Sequence, residues 1–444
     1  MKWSKYNYIL NCKHGVFVYN STTNSFLKIS LPLLDTFKNM KEGNIKIDEL
    51  DEDIKKILIT HNILVSNDFD DKYLTKLKYT HSRSAFANSQ LSLTIATTTN
   101  CNFRCPYCYE AGISHTKMDE ETETAIIDYI NSIKPRTLDI TWYGGEPLMN
   151  FKTIERLTDK INELSYIENL KYDIITNGSL LTEKVRSYFV GKKLKNVQIT
   201  IDGLEENHNR TRITKNGKSS YHIILNNLDK ALEILPDCHF SVRVNIGLNN
   251  RDDYPLLYHK LRERYEAKTN FSIYFSFVED YSMCGGASCL NSKDRIDFLR
   301  YLQNEHHIAE EVYPRRQQCL CIANTINNFV IAPNGDLYKC WNEIGRKDYI
   351  VGNIKNKKII TNYDLICDYS INYNKFNDPK CLECFLLPVC IGGCPSNRYS
   401  NLTKNTNLEI CPYNFEHIDL TLELMYERIV AATKKYLSKD TVQK

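Results

Sequence analysis

The sequence predicts an α/β protein: six βα units in series, forming a parallel sheet curved into a full or partial barrel, preceded by a small α/β unit and followed by a cysteine-dense end. Three observations carry this expectation. Strand-like and helix-like segments alternate from residue 91 to about 277. The first 67 residues carry their own short strands and two helical patterns. Beyond about residue 315 the alternation fades and cysteines crowd together.

The expected barrel strands are Leu91–Thr98, Thr137–Tyr143, Tyr172–Thr176, Val197–Ile201, Phe240–Ile246 and Phe271–Phe277. Between them lie helical spacings near 119–133, 151–164, 182–190, 219–234 and 253–265. Ligands in such folds sit at the carboxyl ends of the strands, so motifs just after a strand carry the most weight. In the amino-terminal unit, Tyr6–Leu10, Gly15–Tyr19 and Ser25–Ser30 read as strands. Pro32–Met40 and Ile47–Thr60 read as helices, and Ile63–Val65 as a closing strand. Three strands and two helices resemble a winged-helix unit. Asp48, Glu49, Asp51, Glu52 and Asp53 on the second helix would repel a phosphate backbone, so no nucleic acid is expected as a partner. The polar stretch 68–88 reads as a connecting segment.

With 444 residues the chain has room for two or three domains, expected at 1–88, 89–314 and 315–444. Hydrophobic residues are 42%, charged residues 25% and the net charge +3, which predicts no polyanionic partner. No apolar run spans a bilayer, and Lys2, Lys5, Asn7 and Asn11 break any signal-peptide pattern, so no membrane partner and a cytoplasmic location are expected. In that reducing compartment sixteen cysteines point to metal or cluster ligation, not to disulfides.

Directly after the first barrel strand stands Cys101-Asn-Phe-Arg-Cys105-Pro-Tyr-Cys108. Three thiolates on one tight loop can hold three irons of a cubane and leave the fourth open to a reactant, whereas electron-transfer clusters usually take four cysteines. A structural zinc site lacking one ligand is the blander alternative. Tyr143-Gly144-Gly145-Glu146-Pro147 follows the second strand, with glycines that permit close backbone approach and a carboxylate that can accept from an ammonium. Thr176-Asn177-Gly178 follows the third strand and Asp202-Gly203 the fourth.

With Tyr107 before its last cysteine, this C-x3-C-x2-C loop resembles the signature of the radical SAM superfamily. The resemblance implies a [4Fe–4S] cluster on Cys101, Cys105 and Cys108, binding of S-adenosylmethionine to the open iron, and reductive cleavage to a 5′-deoxyadenosyl radical. It also implies cofactor contacts from Tyr107, Gly144, Gly145, Glu146, Pro147, Asn177, Asp202, Arg212 and Asn245. Among these, Glu146 would receive the methionine amino group, Asn177 the ribose hydroxyls and Arg212 the methionine carboxylate. A solvated loop arginine is the alternative for Arg212.

A second field, Cys381-x2-Cys384-x5-Cys390-x3-Cys394 with Cys411, lies downstream of Cys321 and Cys340, with the turn Asn334-Gly335 between those two. A zinc ribbon would explain part of it. Together the seven cysteines resemble the SPASM signature, which implies two auxiliary [4Fe–4S] clusters and so three in all. One would be held by Cys321, Cys340 and Cys394, the other by Cys381, Cys384, Cys390 and Cys411. Cys319 is favoured as fourth ligand of the former, with Cys284, Cys289 or an iron left open to substrate as the alternatives.

The whole is therefore similar to a radical SAM/SPASM peptide maturase of the sactipeptide or ranthipeptide kind: a partial (β/α)6 TIM-type barrel, a winged-helix-like precursor-recognition element and a carboxyl-terminal SPASM domain. The resemblance implies a precursor peptide with a leader as substrate, a flavodoxin or ferredoxin as reductant, and thioether formation between a cysteine sulfur and a carbon. Carbon–carbon crosslinking and single-residue oxidation of the formylglycine type are the alternative reactions. An iron–sulfur redox sensor is the alternative of another class, against which the intact GGEP-like segment speaks.

Overall fold

The computed structural model describes residues 1–44, 50–279, 289–308, 320–411 and 417–442. Its contacts divide the chain into two units, Met1–Phe86 with Leu299–Thr325 and Asp368–Lys444, and Ala87–Phe298 with Ile326–Cys367. The cysteine-rich end is thus shared between the two.

The first unit opens with β1 (Lys2–Trp3) and an antiparallel meander of β2 (Asn7–Cys12), β3 (Gly15–Asn20) and β4 (Ser25–Ile29). Helices α1 (Leu34–Lys41) and α2 (Glu52–Thr60) follow, then β5 (Leu64–Val65), which pairs with β1. The carboxylate of Asp51 caps α2 by accepting from the N–H groups of Asp53 and Ile54, and Glu52 and Asp53 fill the first turn. These acids favour the positive end of the helix dipole. The meander is buried on both faces, as alternation along β3 requires. Val16 and Val18, with Ile29, meet Phe37, Met40 and Leu58. Phe17 and Tyr19, with Leu10, meet Phe385, Leu386, Val389, Ile418, Leu422 and Met425 from the far end of the chain.

Residues 68–88, expected as a connector, instead form the helix α3 (Phe69–Ala85). Its polar composition hides one apolar face on which Tyr73 and Leu77 stand four residues apart, packed with Leu74 against Tyr6, Phe376 and Leu387. Buried Asp70 ties it down by accepting from Ser4 Oγ at 2.8 Å and pairing with Lys2 at 3.0 Å.

The second unit is a nine-stranded sheet. Strands β6 (Gln90–Thr98), β7 (Thr137–Gly144), β8 (Asn169–Thr176), β9 (Leu194–Thr200), β10 (His239–Ile246) and β11 (Phe271–Phe277) lie parallel and in sequence order. Each crosses over through helix: α4 (Glu120–Ile133), α5 (Phe151–Asn162), α6 (Glu183–Phe189), α7 (Glu205–Thr211) with α8 (Tyr221–Ile234), and α9 (Asp253–Arg264); α10 (Ser292–His306) follows β11. The sheet does not close on itself, because β12 (Phe329–Ile331) pairs with the free side of β6. Strands β13 (Asp336–Tyr338) and β14 (Gly352–Asn353) then extend it antiparallel, and α11 (Tyr363–Cys367) ends this unit. The remaining helices, α12 (Pro379–Leu382), α13 (Pro395–Thr403) and α14 (Ile418–Val442), belong to the first unit. Among the described residues no helix is long and apolar enough to cross a membrane.

Candidate active site

The carboxyl end of β6 runs straight into the loop bearing Cys101, Cys105 and Cys108. The loop is pinned by Arg104 N donating to Ile213 O (2.8 Å) and Cys108 N to Cys105 O (3.1 Å). Burial pushes the thiol of Cys101 up to about 12 and that of Cys108 to about 11, and raises Cys105 as well. Cys105 further raises both of its neighbours by like charge. A thiolate trio in this place requires an added cation, and a metal centre supplies one.

Gly144 and Gly145 allow a close approach, but to the chain itself. A Cβ on Gly144, at φ +132°, would lie 2.2 Å from the carbonyl oxygen of Thr98, and one on Gly145 would lie 2.4 Å from that of Asn100. Their role is to clamp the end of β7 to the root of the cysteine loop, where Gly145 N and Glu146 N donate to those same carbonyls. Pro147 joins the clamp by accepting from Thr97 Oγ1 at 3.1 Å.

Glu146 is buried, and desolvation raises its pKa against the hydrogen bonds that hold it. Its Oε1 accepts from Thr176 Oγ1 (2.7 Å) and Leu148 N (3.1 Å), and its Oε2 from Asn177 N (2.8 Å). Two oxygens offer about four acceptor positions, so one remains on Oε2. The Asn177 side chain is engaged within the loop region: its amide donates to Asn102 Oδ1 (2.8 Å) and toward Cys101 Sγ (3.9 Å), and its oxygen accepts from Ser179.

Tyr107 and Asn245, both half-buried, form one group with the buried Asp202 and Arg212. The Tyr107 hydroxyl donates to Asp202 and accepts from Arg212 (2.8 Å) and Asn245 Nδ2 (3.4 Å). Asp202 also accepts from Asn245 N at 2.9 Å and lies 3.7 Å from Arg212. Arg212 is buried, not a solvated loop residue, and its Nε has no hydrogen-bond partner among the described residues. Behind it, buried His208 is held neutral, its pKa pulled down to about 3 by burial and then by Arg212.

Sequence reasoning passed over Glu110. Both of its buried oxygens lack a hydrogen-bond partner among the described residues, and burial raises its pKa to about 8. Tyr143 entered only as the first residue of the GGEP-like segment, with no role of its own; it is buried near the thiols of Cys108 and Cys340 and stacks on Trp341 at 5.8 Å. Glu110 carries no spacing signal. An orphaned guanidinium N–H, an open position on a buried carboxylate and three half-buried thiols fit a cluster with a small zwitterionic cofactor.

The comparison with known families decides the matter: residues 95–262 match the radical SAM superfamily. The chain carries a radical SAM domain. The superfamily implies a [4Fe–4S] cluster and S-adenosylmethionine. An uncharacterized protein of Methanocaldococcus jannaschii is 38% identical over 29% of this chain, which spans only 44% of that relative's length. The serine-type anaerobic sulfatase-maturating enzyme of Bacteroides thetaiotaomicron is 24% identical over 68% of this chain and 81% of its own. Among solved structures, Streptococcus suis SuiB bound to S-adenosylmethionine shares the fold, with TM-score 0.52 and 16% identity over 91% of this chain and 97% of that one.

Outside the radical SAM domain, Cys381, Cys384, Cys390 and Cys411 come together in the first unit. Burial raises Cys384 to about 12, and Cys390, Cys411 and Cys381 add to that by like charge. The close packing depends on Gly393, at φ +78°, where a Cβ would lie 2.0 Å from the carbonyl oxygen of Ile410. Gly392 N donates to Cys390 Sγ at 3.2 Å, and Arg398 donates to Cys381 Sγ at 3.4 Å. Of the other auxiliary set, Cys321 and Cys394 stand in the first unit and Cys340 in the second. Cys289 is described, whereas Cys319 and Cys284 lie outside the described residues.

Proposed function

We propose that this protein is a radical SAM/SPASM maturase that acts on a ribosomally made precursor peptide and joins a cysteine sulfur to a carbon. The observation that carries the reading is the coexistence of two cysteine sites: a three-thiol loop backed by Arg212 and Glu146, and a separate four-thiol site. When bound, cluster and S-adenosylmethionine supply hydrogen-atom abstraction. Cys101, Cys105 and Cys108 ligate that cluster. The free Nε–H of Arg212 receives the methionine carboxylate, and the open position on Glu146 receives the amino group. Tyr107, Asp202 and Asn245 hold Arg212 in place, while Gly144, Gly145, Pro147 and Asn177 hold the loop. Cys321, Cys340 and Cys394 with Cys319, and Cys381, Cys384, Cys390 and Cys411, would hold two further [4Fe–4S] clusters, which would supply an acceptor for the electron released on thioether closure. A flavodoxin or ferredoxin in the cytoplasm supplies the initiating electron.

The winged-helix-like segment binds the leader as an added strand along β4. That edge is unpaired among the described residues, whereas the β2–β3 hairpin is tied to α14 through Tyr8–Asp419 and His14–Glu427. SuiB, also solved with its precursor peptide SuiA, supports this reading, because a match over 91% of this chain takes in part of residues 1–86. Proline in the full-length enzyme at Leu27 or, separately, at Lys28 tests it: adjacent N–H groups of a strand point opposite ways, so one of the two faces the free edge. Unchanged leader affinity in both variants refutes the docking site.

Similarity to the sulfatase-maturating enzyme favours a second reading, oxidation of a single residue. Anaerobic reaction with S-adenosylmethionine, dithionite and the precursor separates them. The expected products are 5′-deoxyadenosine and a peptide two hydrogens lighter whose crosslinked cysteine no longer alkylates. A lighter peptide with every cysteine alkylatable replaces the thioether by carbon–carbon joining or simple oxidation. Absence of 5′-deoxyadenosine leaves a redox sensor.

A further inference from the structure

Lys375 is a buried ammonium without a carboxylate partner among the described residues. Only 8% of it is exposed, and its Nζ donates to the carbonyl oxygens of Leu387 (3.3 Å) and Cys390 (2.5 Å). Its position is further fixed by the ring of Phe376, whose centroid lies 5.0 Å from Nζ. Its histidine neighbour, His81, is neutral and offers no counter-charge. Burying an ammonium among neutral groups is unfavourable unless an anion stands close by. Burial lowers the pKa of Lys375, and the groups that act against this are Cys390 and Cys381, which are anionic once they ligate a metal.

Arg398 differs. It too is buried and touches Cys381 Sγ (3.4 Å) and Gly392 O (2.9 Å), but it forms an ion pair with Asp378. Its charge is largely balanced within the protein, whereas that of Lys375 is not.

On the reading that Cys381, Cys384, Cys390 and Cys411 hold a [4Fe–4S] cluster, we propose that Lys375 is the fixed counter-charge that raises its reduction potential. Four thiolates around the oxidised core give a net dianion, and uptake of one electron gives a trianion. A cation held at fixed distance in a low-dielectric site stabilises the trianion more than the dianion. The two carbonyls hold the ammonium against the cysteine loop instead of letting it reach solvent. Lys375 thereby makes this site the better electron acceptor without touching substrate.

The test uses the full-length chain, reconstituted anaerobically with iron and sulfide, in a background with Cys101, Cys105, Cys108, Cys321, Cys340 and Cys394 all changed to Ala. The four-cysteine site is then the remaining cluster, and its midpoint is read by dithionite titration with mediators, followed by electron paramagnetic resonance. Two neutral variants guard against misfolding: Lys375→Gln keeps a donor for the carbonyls, and Lys375→Met keeps the volume. Both are expected to shift the midpoint to more negative potential, Lys375→Arg to restore most of it, and Asp378→Asn with Arg398→Gln, a balanced pair, to shift it less. An unchanged midpoint in the neutral variants overturns the role of Lys375 and leaves the cluster assignment standing. A shift that Lys375→Arg does not restore is a packing effect and overturns it equally. If the background protein binds no iron, the cluster assignment itself falls and the inference falls with it.

Discussion

The two cysteine sites have the same chemistry at their centres and opposite surroundings. Around Cys101, Cys105 and Cys108 the buried polar groups are left incomplete: Arg212 Nε and both oxygens of Glu110 have no hydrogen-bond partner among the described residues, and Glu146 keeps one open position. Around Cys381, Cys384, Cys390 and Cys411 the polar neighbours are spent on the cysteine loop itself, with Arg398 on a thiol and a carbonyl and Lys375 on two carbonyls. Buried groups without partners are costly, and those beside the three-cysteine loop are the ones that a bound ligand could complete. On the proposed function, the first site is one that a ligand fills and the second is one that holds charge.

The largest effect that would break this contrast comes from the ligands. Changing Cys101, Cys105 and Cys108 together to Ala is expected to remove about a third of the iron and all cleavage of S-adenosylmethionine, measured by iron assay and 5′-deoxyadenosine formation. Residual cleavage would mean that the incomplete polar groups serve something other than the cofactor.

The three-cysteine loop and the strand ends around it were legible because cluster ligands and βα alternation both leave periodic marks in a sequence. Residues 91–277 show this: each expected strand has an observed counterpart, displaced by at most a few residues at its ends. Charge and packing across long sequence separations leave no such marks. Lys375 and Arg398 look like ordinary surface cations until the loops close over them. The polar helix α3 hides its apolar face for the same reason, since its partners Phe376 and Leu387 lie some three hundred residues away. The glycines of the GGEP-like segment were legible as a close approach, but the partner proved to be the backbone of Thr98 and Asn100.

Those glycines and Gly393 sharpen the comparison at the next level. Gly145→Ala and Gly393→Ala each force a Cβ onto a backbone carbonyl, which cannot move aside as a flexible side chain would. Each is expected to destabilise its own loop by about 3 kcal/mol. Iron content should fall at the affected site alone, read by the loss of S-adenosylmethionine cleavage for Gly145→Ala and its retention for Gly393→Ala. Loss of both sites in either variant would show the two to be one cooperative structure. A smaller effect is expected from Thr176→Val, which removes one donor from the buried Glu146 carboxylate at about 1–3 kcal/mol. Calorimetry should record weaker binding of S-adenosylmethionine to the reconstituted enzyme, with Thr176→Ser close to wild type.

The smallest difference concerns two histidines. His208 in the second unit and His81 in the first are both buried beside a cation, Arg212 and Lys375 respectively. Burial first, and the cation second, pull their pKa values from 6.5 down to about 3 and about 4. The bonds of His208 are those of a neutral ring. Its Nδ1 accepts from Asp202 N at 3.3 Å, so the ring proton sits on Nε2, facing Ser220 Oγ at 3.0 Å. A second proton would have to enter at Nδ1, against a donor. A depressed pKa means that the unfolded chain binds the proton first. The stabilising contribution is therefore complete above the unfolded value and is lost as pH falls toward the folded one. In the cluster-free protein His208 should cost about 2 kcal/mol of stability by about pH 5, as should His81, because both start from the same unfolded value. Their losses should part only below about pH 4, where His81 takes up its proton in the folded state and His208 does not. His208→Asn keeps an acceptor for Asp202 N and should flatten the dependence of stability on pH between about 5 and 7, measured by urea unfolding. An equally steep acid loss in that variant would place the sensitive group elsewhere and remove His208 from the buried support of Arg212.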